Sequence, residues 1–165
     1  MIYICYHSLT GNTKMVAEAI AEVVDGKLYQ IGKDDYDIES ADLIFLGSLD
    51  LMGNMSEKAI EFSKSIPDCP TALFLTGGSV NPKYLEIVRN NIKKNFEGKR
   101  DIFDDIFICQ GKMQERVLEK YEKKLAEGDQ GAQARIDNYN EALSHPNEDD
   151  LMNAKEWAKN ILKTK

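Results

Sequence analysis

A chain of 165 residues with 42% apolar and 30% charged side chains has the length and composition of one ordinary globular domain with an adequate core. Its formal charge of -7 argues against nucleic acid and anionic membrane as partners and permits a basic protein partner. No apolar run approaches the ~20 residues of a membrane span, no basic segment opens the chain as in a signal peptide, and Cys5, Cys69 and Cys109 are odd in number with no C-x-x-C, so buried thiols in the cytoplasm are expected.

In chain order, the apolar run of residues 1–6 reads as a buried strand. Val16, Ala17, Ile20, Val23 and Val24 then define an amphipathic helix. Between them lies Ser8-Leu9-Thr10-Gly11-Asn12-Thr13. A hydroxyl- and amide-rich turn between a strand and a helix N-terminus directs backbone N–H groups, side-chain donors and the positive end of a helix dipole to one place. Helix capping alone would use one or two such side chains; Ser8, Thr10, Asn12 and Thr13 supply four. Hydrogen bonds to an ionised group contribute about 1.5–3 kcal/mol each. The pattern therefore points to an anion such as a phosphate, with Lys14 the only cation close in sequence.

Residues 27–31 alternate as an edge strand after the Asp25-Gly26 helix stop, and an acidic loop with Asp34, Asp35 and Asp37 follows. Residues 41–48 form a near-continuous apolar run, the pattern of a strand covered on both faces. It leads into the loop Leu49-Asp50-Leu51-Met52-Gly53-Asn54-Met55, after which Ser56 and Glu57 start a helix through Phe62. Residues 71–76 read as a further buried strand ending in Gly77-Gly78-Ser79, and Pro82 opens a helix carrying Leu85, Val88 and Ile92. Residues 105–110 are the fifth strand candidate, with Ile102 and Phe103 as possible extensions.

Residues 111–147 change texture: two helical faces, Val117-Leu118-Tyr121-Leu125 and Ile136-Tyr139-Leu143, are separated by Gly128 and Gly131. Leu151, Ala154, Ala158, Ile161 and Leu162 then mark a closing helix, with Trp157 expected in the core. Alternation of strand and helix implies a doubly wound parallel sheet with helices on both faces, whose ligands sit at the carboxyl ends of the strands. A receiver domain would use Asp50, Thr76 and Lys112 but needs an acidic pair where Tyr6 and His7 stand. A low-molecular-weight phosphatase would need an arginine where Gly11 stands six residues after Cys5. Walker A and H-E-x-x-H motifs are absent, and His7 and His145 are too few for a metal site.

The loop Ser8–Thr13 resembles the phosphate loop of the flavodoxin family, Ser/Thr-x-Thr-Gly-Asn-Thr after the first strand, and Met52-Gly53-Asn54 is similar to the family's Met-Gly-Asp loop. The resemblance implies a five-stranded flavodoxin-like fold of strand order 2-1-3-4-5 over residues 1–165, with residues 111–147 as a helical excursion. It further implies non-covalent FMN and electron transfer with a redox partner protein, one electron at a time through a flavin semiquinone. The alternative within the same resemblance is an FMN-dependent NAD(P)H oxidoreductase. Carried over by position, Ser8, Thr10, Asn12 and Thr13 would hold the FMN phosphate, with Gly11 allowing close approach and Leu9 completing the cofactor-binding loop. Met52 would pack on the isoalloxazine, and Gly53 would turn its carbonyl toward flavin N5. Asn54 stands where the family has Asp, which bears on redox tuning. Gly77, Gly78 and Ser79 would flank the pyrimidine edge, and Tyr84 is the one aromatic near enough to stack there, although packing on its own helix face is its plainer role. Residues 111–147 would either lid the flavin or form a docking face.

Overall fold

A computed structural model describes residues 1–99 and 101–164. Five parallel strands lie in the order β2-β1-β3-β5-β6: β1 Ile2–Tyr6, β2 Lys27–Gln30, β3 Leu43–Leu51, β5 Thr71–Gly77 and β6 Phe107–Gln110. The order is the expected one. A sixth, two-residue strand, β4 (Asn54–Met55), folds back antiparallel on β3. The helices are α1 Asn12–Val24, α2 Glu57–Ser63, α3 Pro82–Asn95, α4 Glu115–Ala126, α5 Ala132–Ala142 and α6 Glu148–Thr164. Ile102 makes only an isolated bridge to Thr71, so β6 begins after it.

The period-2 alternation of strand side chains divides the core in two. Ile4, Leu43, Phe45, Ala72 and Phe74 face α1 and α6, whose Val16, Ile20, Ala154, Trp157 and Ile161 cover that side. Tyr3, Cys5, Ile44, Leu46, Leu73 and Leu75 face α2 and α3, covered by Ala59, Phe62, Val88 and Ile92. The central strands are buried on both faces, which explains why they read as unbroken apolar runs. Trp157 is in the core as expected, packed edge-on against Phe45 with its indole N–H donating to the Asp105 carbonyl. All three cysteines are buried, and burial pushes the Cys5 and Cys109 thiols up to about 12.

Neither core contains a residue of α4 or α5. These two helices pack on each other, and α4 buries none of its residues fully. No described helix is long and apolar enough to cross a membrane.

Candidate functional site

At the carboxyl edge of the sheet the strand register brings four loops together. Leu49 pairs with Thr76 and Gly77 with Gln110, and the ladder continues as Gly111 N–H donates to the Gly77 carbonyl at 2.9 Å. Between these loops and the segment 8–13 lies a cleft of about 150 Å³. Of the sequence-predicted residues, Leu9, Thr10, Asn12, Gly77 and Gly78 line it. Ser8, Gly11 and Thr13 belong to the same loop but do not line it; Met52, Gly53, Asn54, Ser79 and Tyr84 also lie outside the lining.

The first loop is built to leave a helix end open. Gly11 occupies the N-cap of α1 with φ +90°, no side chain caps the helix, and its first turn carries no acid. By contrast, Ser56 caps α2 through Ala59 N–H and Asn81 caps α3 through Lys83 and Tyr84 N–H. Ser8 Oγ instead accepts from Gly11 N–H at 3.1 Å. Thr13 is buried, and its hydroxyl meets that of Thr76 at 2.8 Å, which ties the loop to the end of β5. Asn12 is 6% exposed; its Nδ2 donates to the Lys112 carbonyl at 2.9 Å, while its Oδ1 is buried without a partner. A buried acceptor left unsatisfied costs about 1–3 kcal/mol, so a ligand hydroxyl or amide N–H beside it would be favoured. The open helix end, the Thr10 side chain in the cleft lining and this orphaned oxygen fit a phosphate ester that carries hydroxyl groups.

The third-strand loop is a tight hairpin. Asp50 pairs with Met55 and Leu51 with Asn54, leaving Met52 (φ +54°) and Gly53 (φ +86°) as a two-residue turn with both residues left-handed. Met52 is fully exposed at its tip. Side chains of α3 clamp the turn: Asn91 Nδ2 donates to the Gly53 carbonyl at 2.9 Å, and Asn95 Nδ2 donates to Asn54 Oδ1 at 2.7 Å. Asp50 lies beneath it, accepting Gly53 N–H at 2.9 Å on Oδ1 and the Tyr84 hydroxyl at 2.8 Å on Oδ2. Tyr84 therefore bridges α3 to the hairpin. Burial, then Asp50, raises the Tyr84 phenol; burial raises the Asp50 carboxyl against the opposing bonds from Tyr84 and the turn N–H groups.

The third wall comes from the start of the helical excursion, whose individual residues were not among the predicted cofactor contacts. Lys112, Met113, Gln114, Arg116 and Val117 line the cleft. Lys112 is pinned on both sides, its N–H donating to the His145 carbonyl at 2.9 Å and its carbonyl accepting from Asn12. Met113 lies directly on Gly78, where a β-carbon would stand only 2.3 Å from its sulfur. Asn138 of α5 donates to the Gly78 carbonyl at 2.9 Å, joined there by Gln110. The excursion thus shapes the cleft, and Lys112 and Arg116 add cations where only Lys14 was expected. The signal available in the sequence was topological: a segment leaving the C-terminal end of β6 must start at the ligand edge.

The curated relatives and solved structures agree with this architecture. The flavodoxin domain family matches residues 3–159. The chain is 29% identical over 167 residues to the flavodoxin-like domain-containing protein BilS of Clostridioides difficile, covering 96% of this chain and 94% of that one. It is 28% identical to the BilS of Clostridium symbiosum, covering 90% and 88%. Among solved structures, oxidised Flavodoxin 2 from Bacillus cereus superposes with a TM-score of 0.62 at 17% identity over 99% of both chains. A short-chain flavodoxin associated with a non-canonical PDU bacterial microcompartment gives 0.58 at 14% identity over 99% and 98%. With a family match over nearly its whole length and the strand order to go with it, the chain belongs to the flavodoxin domain family.

Proposed function

We propose that this chain is an FMN-binding electron carrier that exchanges electrons with protein partners. The observation that carries the reading is the uncapped N-terminus of α1, surrounded by Ser8, Thr10 and Asn12, opening into a cleft at the carboxyl edge of a flavodoxin-type sheet. Bound there, FMN supplies a ring that accepts and returns electrons. The chain's own residues do the rest. The first-turn N–H groups of α1, the Thr10 hydroxyl and the Asn12 amide bind the phosphate and the first hydroxyls of the ribityl chain, with Ser8 holding Gly11 in place. Asp50 and Asn91 fix the Gly53 turn as one wall of the ring site, and the Gly77-Gly78 backbone forms another. Met113, held on Gly78, supplies a polarisable thioether beside an aromatic ligand. Lys112 and Arg116 offset phosphate charge at the rim. Leu9, Leu51, Met52 and Val80, all exposed around the cleft, form an apolar contact surface for a partner.

Titration of the full chain with FMN, followed by flavin fluorescence and absorbance, tests the proposal. One FMN should bind per chain, and riboflavin, which lacks the phosphate, should bind at least tenfold more weakly, from the ~1.5–3 kcal/mol of each charge-assisted bond. No flavin uptake would refute the reading. The carrier role adds that NAD(P)H alone reduces the bound flavin slowly and a ferredoxin-type reductase reduces it quickly; rapid direct reduction by NAD(P)H would instead assign an oxidoreductase.

A further inference from the structure

The sheet ends in an open edge at β6, and the strand register fixes which backbone groups face outward there. Gly111 N–H donates to the Gly77 carbonyl, so Phe107, Cys109 and Gly111 turn their backbone groups toward β5. Backbone direction alternates along a strand, so Ile108, Gln110 and Lys112 turn theirs to the open side. Lys112 follows that parity, its N–H leaving the sheet to meet the His145 carbonyl at 2.9 Å. At that point the returning excursion covers the edge. One and two steps back along the same row it does not: the backbone groups of Gln110 and Ile108 have no partner among the described residues, although Gln110 is only 3% exposed. Buried backbone donors and acceptors are nearly always paired. Along these groups runs a groove of about 250 Å³, lined by Leu85 of α3 on one face of the sheet, by Asp150 and Asn153 of α6 on the other, and by Glu141 of α5.

We propose that this groove is a docking site for a short, extended, basic segment of a partner protein, which joins the sheet as a strand beside β6. The added strand accepts the Ile108 and Gln110 N–H groups on its carbonyls and returns its own N–H groups to theirs, and a segment matching the four residues of β6 is long enough. Its side chains alternate between the two faces, one row against Leu85 and the other toward Asp150 and Asn153. Charge selects the partner. Glu141 and Asp150 line the groove, and no lysine or arginine does. Glu141 makes no ion pair among the described residues. Asp150 Oδ2 accepts from Asn147 N–H at 2.9 Å and meets His145 Nδ1 at 2.5 Å, while its Oδ1 has no hydrogen bond among the described residues. Lysine or arginine at alternate positions of the segment would complement these acids. A second copy of this chain complements them poorly, because edge-to-edge pairing sets the same acids of two chains of net charge -7 against each other. No residue lines both this groove and the cleft at the carboxyl edge, so a partner held here leaves that cleft open.

The test is fluorescence anisotropy of a labelled Lys-Val repeat peptide of about six residues, blocked at both ends, titrated with the full chain. This peptide should bind one to one, and a Glu-Val repeat of the same length should not. N-methylation of alternate amides keeps every charge and side chain; methylating the set that faces β6 should weaken binding at least about tenfold, and methylating the other set should leave it nearly unchanged. Ile108→Pro removes one outward N–H without breaking a ladder bond and should weaken binding about fivefold. Glu141→Lys, which reverses an exposed charge, should do so by a similar factor. With the peptide bound, the Ile108 and Gln110 amides should gain protection from hydrogen exchange. Equal binding of the two methylated peptides, unchanged affinity in both variants, or no added protection at Ile108 and Gln110 would reduce the interaction to plain charge attraction and overturn the proposal. Absence of binding by the Lys-Val peptide overturns it as well. So does a dimer of the free chain that Ile108→Pro dissolves, which would make a second copy the occupant. None of these outcomes depends on FMN, so they stand apart from the flavin reading.

Discussion

His7 shows how one residue couples the start of the cleft loop to the rest of the sheet. It is 7% exposed, its backbone N–H donates to the Gly47 carbonyl, and its Nδ1 lies 2.8 Å from Ser56 Oγ. Ser56 Oγ also accepts from Ala59 N–H and lies 3.1 Å from Ser48 Oγ, so His7 is held in a buried hydroxyl network. Burial, then the positive charge of Lys58, holds the imidazole below its ordinary value of 6.5. The sign follows from which state takes the proton first. Between the lowered folded value and 6.5 the unfolded chain binds more protons, so this contribution to stability is full above 6.5 and is lost as pH falls through the folded value. Thermal unfolding should therefore show an acid-side loss of stability in wild type that is missing from His7→Gln; superimposable pH profiles would contradict it. In the sequence, His7 is only a residue that rules out an acidic pair. Its partner Ser56 lies 49 positions away, and only the β1-β3 register brings them together. The donor-rich loop is different: its spacing announces it directly, although Thr13 spends its hydroxyl on Thr76, a choice no local pattern contains.

At the scale of elements, the hairpin and the excursion are where local reasoning fell short. Met52-Gly53 lacks the Asn-Gly signature of a left-handed two-residue turn, so it reads as an open loop. The turn persists because Asp50, Asn91 and Asn95 clamp it from both sides. Met52 at φ +54° bears steric strain that an asparagine tolerates better. Met52→Asn should raise the unfolding free energy by about 0.5–1 kcal/mol, and Gly53→Ala should lower it by about 1–2 kcal/mol. Urea denaturation measures both, and an unstable Met52→Asn would show that the turn is not left-handed. The helices α4 and α5 were legible as amphipathic, but not their placement, because their apolar stripes meet each other and lie outside both cores. With so little burial, α4 amides should exchange hydrogen well before those of β3 and β5. Asn138→Ala, which frees the Gly78 carbonyl from α5, should speed exchange in α4 and α5 and leave the central strands unchanged. Uniform exchange across helices and sheet would contradict that separation.

At the scale of the whole molecule, the fold was the most legible feature because a doubly wound sheet writes itself as alternation. Continuous apolar runs mark β3 and β5, each followed by an amphipathic helix, and right-handed crossovers leave few arrangements for them. The candidate site was legible in its contiguous pieces, the loop after β1 and Gly77-Gly78 at the end of β5. Its other walls are assembled from residues far apart in the chain: Asp50 with Tyr84, and Asn12 with Lys112 across 100 positions. Charge composition was no guide either, since a chain of net charge -7 places Lys112 and Arg116 on the cleft rim. The central claim is that this edge of the sheet binds FMN through its phosphate at the open end of α1. The most direct test compares FMN and riboflavin affinity in wild type and in Thr10→Ala/Asn12→Ala. The double variant should lose roughly a hundredfold in FMN affinity, about 3 kcal/mol from the Thr10 bond to the phosphate together with the Asn12 bond to a ligand hydroxyl, and about tenfold or less for riboflavin, which keeps only the second. Equal losses for the two ligands would place the phosphate elsewhere and contradict it.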